Sequence, residues 1–280
     1  MREIKASDIT AVVAELCMRA NYELGDDVHD ALEDALAREE SPLGKDVLSQ
    51  LLENAEIARS EQVPMCQDTG VAVVFAELGQ DVHITGGSLS EAINTGVAKG
   101  YSEGYLRKSV VGHPLERKNT GDNTPAVIYT ETVPGDRLKI TVAAKGAGGE
   151  NMSGISMLKP SDGAEGVKRF VVETVKAAGA NPCPPIIVGV GIGGAMEKAA
   201  LLAKKALLRR IGEHNANPAD AELERELLRL VNDTGIGPAG LGGRMTALAV
   251  NVETYPCHIG SLPVAVNIQC HAARYKEVML

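Results

Sequence analysis

The sequence predicts a mixed α/β to α+β fold: a helical N-terminal region, then mixed sheets flanked by helices. Three observations carry this expectation. Apolar residues in the first sixty positions recur at helical spacing. Two β-type runs, Ala126–Val133 and Leu138–Ala144, are joined by only four residues, Pro134-Gly135-Asp136-Arg137, which reads as a hairpin. Helix and strand patterns elsewhere alternate irregularly, which fits a mixed fold better than a regular βαβ array.

In chain order, Ile9, Val12, Val13, Leu16, Cys17 and Ala20 repeat at the three-one-three spacing of one helix face. A second helix is expected over Val28–Arg38. A third is expected over Lys45–Arg59, with Leu48, Leu51, Leu52 and Ala55 inward, and Pro64 closes this region. Val71–Leu78 reads as a strand. Residues 88–104 read as a helix with Ser88 as N-cap. Gly112–Pro125 is polar and turn-rich, with no core pattern. After the hairpin comes a glycine-rich loop, Lys145–Ser153, then a helix over 163–178 and a short buried strand, Pro185–Val190. Helices are expected over 195–211 and 219–232. Gly235–Gly243 holds five glycines in nine residues and reads as a loop. Strands over 245–254 and 262–269 finish the chain, which has no internal repeat. The expectation is one domain over 1–280, with 1–60 helical and 61–280 a mixed α/β body.

Bulk composition narrows the function. The 280 residues carry 28 basic and 37 acidic side chains, a net charge of -9. Nucleic-acid binding needs a cationic surface and aromatic platforms, yet the chain has two Phe, six Tyr and no Trp. No apolar run reaches the eighteen residues a membrane span needs. The start, Met1-Arg2-Glu3-Ile4-Lys5, has no apolar signal core, so a cytoplasmic location is expected. Five cysteines (17, 66, 183, 257 and 270) are an odd count spread over the chain, unlike a secreted disulfide framework.

The cysteines divide by setting. Cys17 lies on an apolar helix stripe and reads as core. Three others sit in polar turns: Cys66-Gln67-Asp68-Thr69-Gly70, Asn181-Pro182-Cys183-Pro184-Pro185 and Gln269-Cys270-His271-Ala272-Ala273-Arg274. Each lies just outside a predicted strand, where loops gather to build sites. Separations of 117 and 87 residues match neither a zinc finger nor a compact ferredoxin run, so spacing does not name the metal. Three thiolates with no clear fourth would leave a metal position open, as catalytic centres need. Cys257 follows Pro256 and reads mainly as non-ligating, while His258 and His271 each adjoin a cysteine.

Gly189-x-Gly191-x-x-Gly194 resembles a dinucleotide fingerprint, but the region twenty residues on is Arg209-Arg210-Ile211-Gly212 and lacks the expected acid. The helix start there is suited to an anion such as a carboxylate. Arg107 and Lys108 end a helix, where they complement its dipole. Arg117-Lys118-Asn119 and Arg274 admit either a solvated or a binding role.

The motifs Met65–Gly70, Lys145-Gly146-Ala147-Gly148-Gly149-Glu150-Asn151, Asn181–Pro185, Cys257–Asn267 and Cys270–Arg274 occur in an order that resembles the α subunit, or N-terminal domain, of class I iron–sulfur fumarases and L-tartrate dehydratases. The resemblance implies a [4Fe–4S] cluster on Cys66, Cys183 and Cys270, with one iron open to substrate. It implies a separate β subunit of about two hundred residues in an α2β2 assembly, and a C4 dicarboxylate substrate. It implies that Gln67 and Asp68 face the substrate, with Asp68 in the proton relay. Arg107 would hold a carboxylate, Gly148 would offer its backbone, and His258 would act in catalysis. The reaction expected first is reversible hydration of fumarate to (S)-malate, with L(+)-tartrate dehydration as the alternative. Two readings from other classes are a non-catalytic iron–sulfur protein with four protein ligands and a nucleotide-dependent oxidoreductase using the Gly189 run.

Overall fold

The structure is a computed structural model that describes residues 2–280. Its elements run β1 (Arg2–Lys5), α1 (Ala6–Tyr22), α2 (Asp26–Arg38), α3 (Pro42–Glu61), β2 (Val71–Gly79), β3 (Val82–Thr85), α4 (Leu89–Glu103), β4 (Val127–Val133) and β5 (Leu138–Lys145). The chain continues with α5 (Ala147–Glu150), β6 (Gly154–Leu158), α6 (Gly163–Ala178), β7 (Ile186–Gly193), α7 (Met196–Ala206), α8 (Pro218–Asn232), β8 (Ala247–Tyr255), β9 (Leu262–Gln269) and β10 (Tyr275–Met279). The fold is mixed α/β, with a helical start and sheets flanked by helices. Residues up to Leu24, 54–147 and 274–280 form one unit, and residues 25–53 and 148–273 form a second.

The first unit is built on a four-stranded sheet in the order β10-β5-β2-β4. Central β2 is parallel to β4 and antiparallel to β5. Ala72 to Ala76 are all buried, as a central strand covered on both faces requires. Ala72, Val74 and Ala76 join Ile140 and Val142 of β5 beneath Ile9, Val13, Leu16 and Cys17 of α1 and Ile93, Val97 and Tyr101 of α4. On the other face Phe75 stacks on Tyr129, its in-register neighbour, with ring centroids 5.2 Å apart.

A glycine row sets how closely α4 approaches α1. A Cβ at Gly96 would lie 2.7 Å from the Thr10 carbonyl oxygen, and one at Gly100 would lie 2.6 Å from that of Ala14. Side chains there would push the two backbones apart. Ser88 caps α4 as expected, and Glu91 completes a capping box.

The hairpin expected at 134–137 is not formed. β4 and β5 lie on opposite sides of β2. The connection instead crosses the end of β2 and caps it: Gly79 N donates to Arg137 O, Gln80 N to Val133 O and Asp81 N to Gly135 O, each at 2.9 Å. Gly79 permits this crossing, because a Cβ there would lie 2.5 Å from Gly135 O. Four residues joining two β runs suit a hairpin by length, but the continuous apolar run of β2 takes the central place.

The second unit centres on a sheet in the order β6-β9-β7-β8, with β7 parallel to β8 and antiparallel to β9. Val188 and Val190 pack with Val167, Val171 and Val175 of α6 and Leu227 and Val231 of α8. Gly189 and Gly191, alternate residues of the same strand, meet α7. A Cβ on them would lie 2.0 Å from Ala203 O and 2.1 Å from Ala199 O. The first two dinucleotide-like glycines therefore lie within a strand and bring it against a helix backbone, rather than forming a phosphate loop after it. α7 ends at Ala206 rather than continuing to residue 211. Arg209 leaves the helix to donate to Val252 O at 2.7 Å and to the carboxylates of Glu224 and Glu253.

Candidate active site

Cys66–Gly70 forms the loop that enters β2, and the first unit fixes it through backbone and buried side chains. Both Asp68 oxygens accept backbone hydrogen bonds, Oδ1 from Gly70 N at 3.1 Å and Oδ2 from Ala147 N at 2.8 Å. The second bond ties the cysteine loop to the start of the glycine-rich turn. Buried Tyr101 donates its hydroxyl hydrogen toward Thr69 O (2.7 Å) and Gly70 O (3.1 Å). Buried Asn123 donates to Gly70 O at 3.1 Å and accepts from Ser109 N at 2.7 Å. Thr69 Oγ1 donates to Arg107 O at 2.8 Å, which places Arg107, with its exposed side chain, beside the same loop. The Cys66 thiol donates to Gln67 Oε1 at 3.6 Å.

Sequence reasoning missed Tyr101 and Asn123 as supports of this loop. Tyr101 reads as an ordinary core position of α4. Asn123 lies in the stretch without a core pattern, yet it is fully buried and has a left-handed backbone with φ of 64°. The polarity of 112–125 was the available signal.

The second unit carries Cys183 and Cys270. Cys183 precedes β7 and Cys270 follows β9, two adjacent antiparallel strands, so topology brings both loops to one end of the sheet. A 2.9 Å contact between His271 Nδ1 and Cys183 O joins them. Gly148 faces the same loop, since a Cβ on it would lie 3.1 Å from Asn181 O. The glycine-rich stretch expected to be a loop contains the one-turn helix α5, and it is anchored here. Glu150 accepts from Lys204 Nζ at 2.7 and 2.8 Å and from Asn267 Nδ2 at 3.0 Å.

His258 lies in an exposed turn after β8. Its Nδ1 accepts from Gly260 N at 3.0 Å, and its carbonyl accepts from Ser261 Oγ at 3.2 Å. With Cys257 and Asp220 it borders a mainly apolar cavity of about 440 Å³.

Donor chemistry separates the cysteines. Burial pushes the Cys17 thiol up to about 12, so it has no tendency to become a thiolate near neutrality. Cys66 and Cys270 are half-buried and Cys183 is exposed, each in a loop at a strand end. No disulfide joins the five described cysteines. Accessible thiols in polar loops are the donor type that a thiolate-bound iron centre takes.

The sequence model described as fumarate hydratase (Fumerase) matches residues 10–279. The chain belongs to that family. It is 48% identical over 272 residues to a Methanocaldococcus jannaschii protein that carries L(+)-tartrate dehydratase subunit alpha as a provisional name, covering 95% of each chain. It is 35% identical over 269 residues to the L(+)-tartrate dehydratase subunit alpha of Escherichia coli strain UTI89, covering 95% of this chain and 88% of that one. The Shigella boydii protein of the same name is 34% identical over 269 residues. In this family member, no helix among the described residues is long and apolar enough to cross a membrane.

Proposed function

We propose that this chain is the α subunit of an iron–sulfur hydro-lyase acting on a C4 dicarboxylate, with residues 1–280 working as one functional domain. The observation that carries this reading is the family match over residues 10–279. The names of the relatives favour L(+)-tartrate as substrate over the fumarate and (S)-malate pair expected first, which becomes the alternative. Their designation as alpha subunits supports a β subunit as partner, and an α2β2 assembly is the arrangement to test.

Cys66, Cys183 and Cys270 would hold a [4Fe–4S] cluster, which when bound supplies a Lewis-acidic iron for the substrate hydroxyl. The chain's own residues do the rest. Dehydration removes a proton from the carbon beside one carboxylate and hydroxide from the neighbouring carbon. Asp68, with both oxygens fixed by backbone N–H groups, is oriented to take part in that proton transfer. Exposed Gln67 offers an amide to the substrate, and Arg107 offers a guanidinium to one carboxylate. Gly148 lets its backbone come close, where a side chain would meet Asn181 O. His258 presents an exposed imidazole as a second acid–base group.

The test is anaerobic co-expression with candidate β subunits, followed by parallel assays of L(+)-tartrate and (S)-malate. Turnover of L(+)-tartrate with a clear preference over (S)-malate is expected. A preference for (S)-malate would restore the fumarase alternative. An iron-loaded complex inactive on both would overturn the hydro-lyase reading.

A further inference from the structure

Arg274 is buried, with 2% of its surface exposed, yet it makes no ion pair among the described residues. Its Nη1 donates to the backbone carbonyl of Asp68 at 2.5 Å and to Asn21 Oδ1 at 3.2 Å. Its Nε has no partner. Its own carbonyl accepts from Ala144 N at 2.9 Å, which pins the residue beside the end of β5. Burying a cation that makes no direct ion pair is costly, and an unsatisfied buried donor adds to that cost. A neutral donor could hold the Asp68 carbonyl and Asn21 at lower cost, so packing alone leaves the charge unexplained.

The position of Gly146 shows where that charge acts. A Cβ added there would lie 3.2 Å from Arg274 Nη2 and 3.2 Å from Asp68 Oδ2. Guanidinium and carboxylate thus both lie beside one glycine. Asp68 does not close onto the arginine, because Gly70 N and Ala147 N hold its two oxygens. Arg274 therefore grips the main chain of Asp68 and lies beside its carboxylate without a direct ion pair.

We propose that Arg274 is the positioning residue of the Cys66–Gly70 loop: its buried guanidinium fixes the Asp68 peptide and so holds the Asp68 carboxylate in its working orientation. This rests on the hydro-lyase reading for its catalytic consequence, though not for the contact itself. A charged hydrogen bond to a carbonyl is stronger and more directional than a neutral one. Loss of this hold would displace Asp68 while leaving the exposed substrate contacts of Gln67 and Arg107 in place.

The experiment compares Arg274→Met and Arg274→Lys with the wild type, each as the anaerobically purified αβ complex. Four quantities are read: iron per chain, melting temperature, kcat and KM, and amide hydrogen exchange over residues 66–70. Arg274→Met should keep its iron and lower kcat per cluster by about 30-fold or more, with KM changed less than about threefold, since misplacing a reacting group by about 1 Å costs on the order of a hundredfold. Exchange over 66–70 should quicken, and Arg274→Lys should recover part of both losses. Unchanged kcat per cluster, or unchanged exchange in a folded variant, overturns the proposal. So does a loss of activity fully accounted for by lost iron. If Arg274→Met fails to fold, Arg274→Lys decides by the same readings. If the wild type turns over neither substrate, the functional reading fails and exchange alone judges the contact.

Discussion

Two glycine-rich segments of similar composition do opposite things. In Gly189–Gly194, Gly189 and Gly191 face a helix, and α7 carbonyl oxygens lie 2.0 and 2.1 Å from where their Cβ atoms would be. In Lys145–Glu150 Gly146 faces a carboxylate and a guanidinium, and the next backbone N–H binds Asp68. A third segment, Gly235–Gly243, repeats the second use. A Cβ at Gly243 would lie 2.8 Å from Glu39 Oε1, and that carboxylate collects the backbone N–H groups of Glu40, Ser41, Arg244 and Met245. Glycine content therefore does not distinguish packing from site-building. What stands opposite each missing side chain does.

The largest effect expected from this contrast is on stability. Gly191→Ala should force β7 away from the α7 backbone and cost about 3–5 kcal/mol. At about 2–4 °C per kcal/mol for a chain of this size, the melting temperature should fall by roughly 10 °C. A drop of under about 2 °C would show that the strand and helix separate easily, and would remove the basis of the contrast.

Glu39→Gln probes the carboxylate type at a residue to which no catalytic role is assigned. Burial pushes the Glu39 carboxyl up, but the four backbone donors outweigh it and leave it below the ordinary range. A depressed value means that its stabilisation is fully present above the unfolded value of about 4.3 and is lost as pH falls through the lower folded value. The variant should be less stable by about 2–3 kcal/mol near neutral pH, with the gap closing below about pH 4. Denaturant melts at pH 7, 5 and 3.5 check this, and a gap that widens on acidification would contradict the assigned cause.

Gly146→Ala should be mildest for folding. Its methyl group needs only a few tenths of an ångström from a guanidinium and a carboxylate, so stability should drop by about 1 kcal/mol or less. Activity per cluster should nonetheless fall by about tenfold through the displaced Asp68. A variant that loses stability but not activity would place Gly146 with Gly191 instead.

Much of this was legible in the sequence, for physical reasons. The α1 stripe, Ser88 as cap, β2 and the strands flanking Cys183 and Cys270 each bury enough apolar surface to leave a periodic trace. β1, β3, β6 and β10 left none. They are short and half-exposed, so Arg2–Lys5 buries only Ile4, and Tyr275–Met279 alternates without a fully buried residue. The hairpin reading failed because strand pairing is set by which run is most apolar, not by chain proximity. At the site, the cysteines stood out by their polar neighbours. Tyr101 and Asn123 did not, since each works through a main-chain carbonyl that sequence does not reveal.

The central claim is that Cys66, Cys183 and Cys270 together hold one iron–sulfur centre while Cys17 is packing. The most direct test is anaerobic iron and sulfide analysis of Cys17→Ser and Cys183→Ser beside the wild type, as αβ complexes. Wild type and Cys17→Ser should hold about four irons per α chain, and Cys183→Ser should hold close to none. Iron retained in Cys183→Ser and lost in Cys17→Ser would contradict the claim.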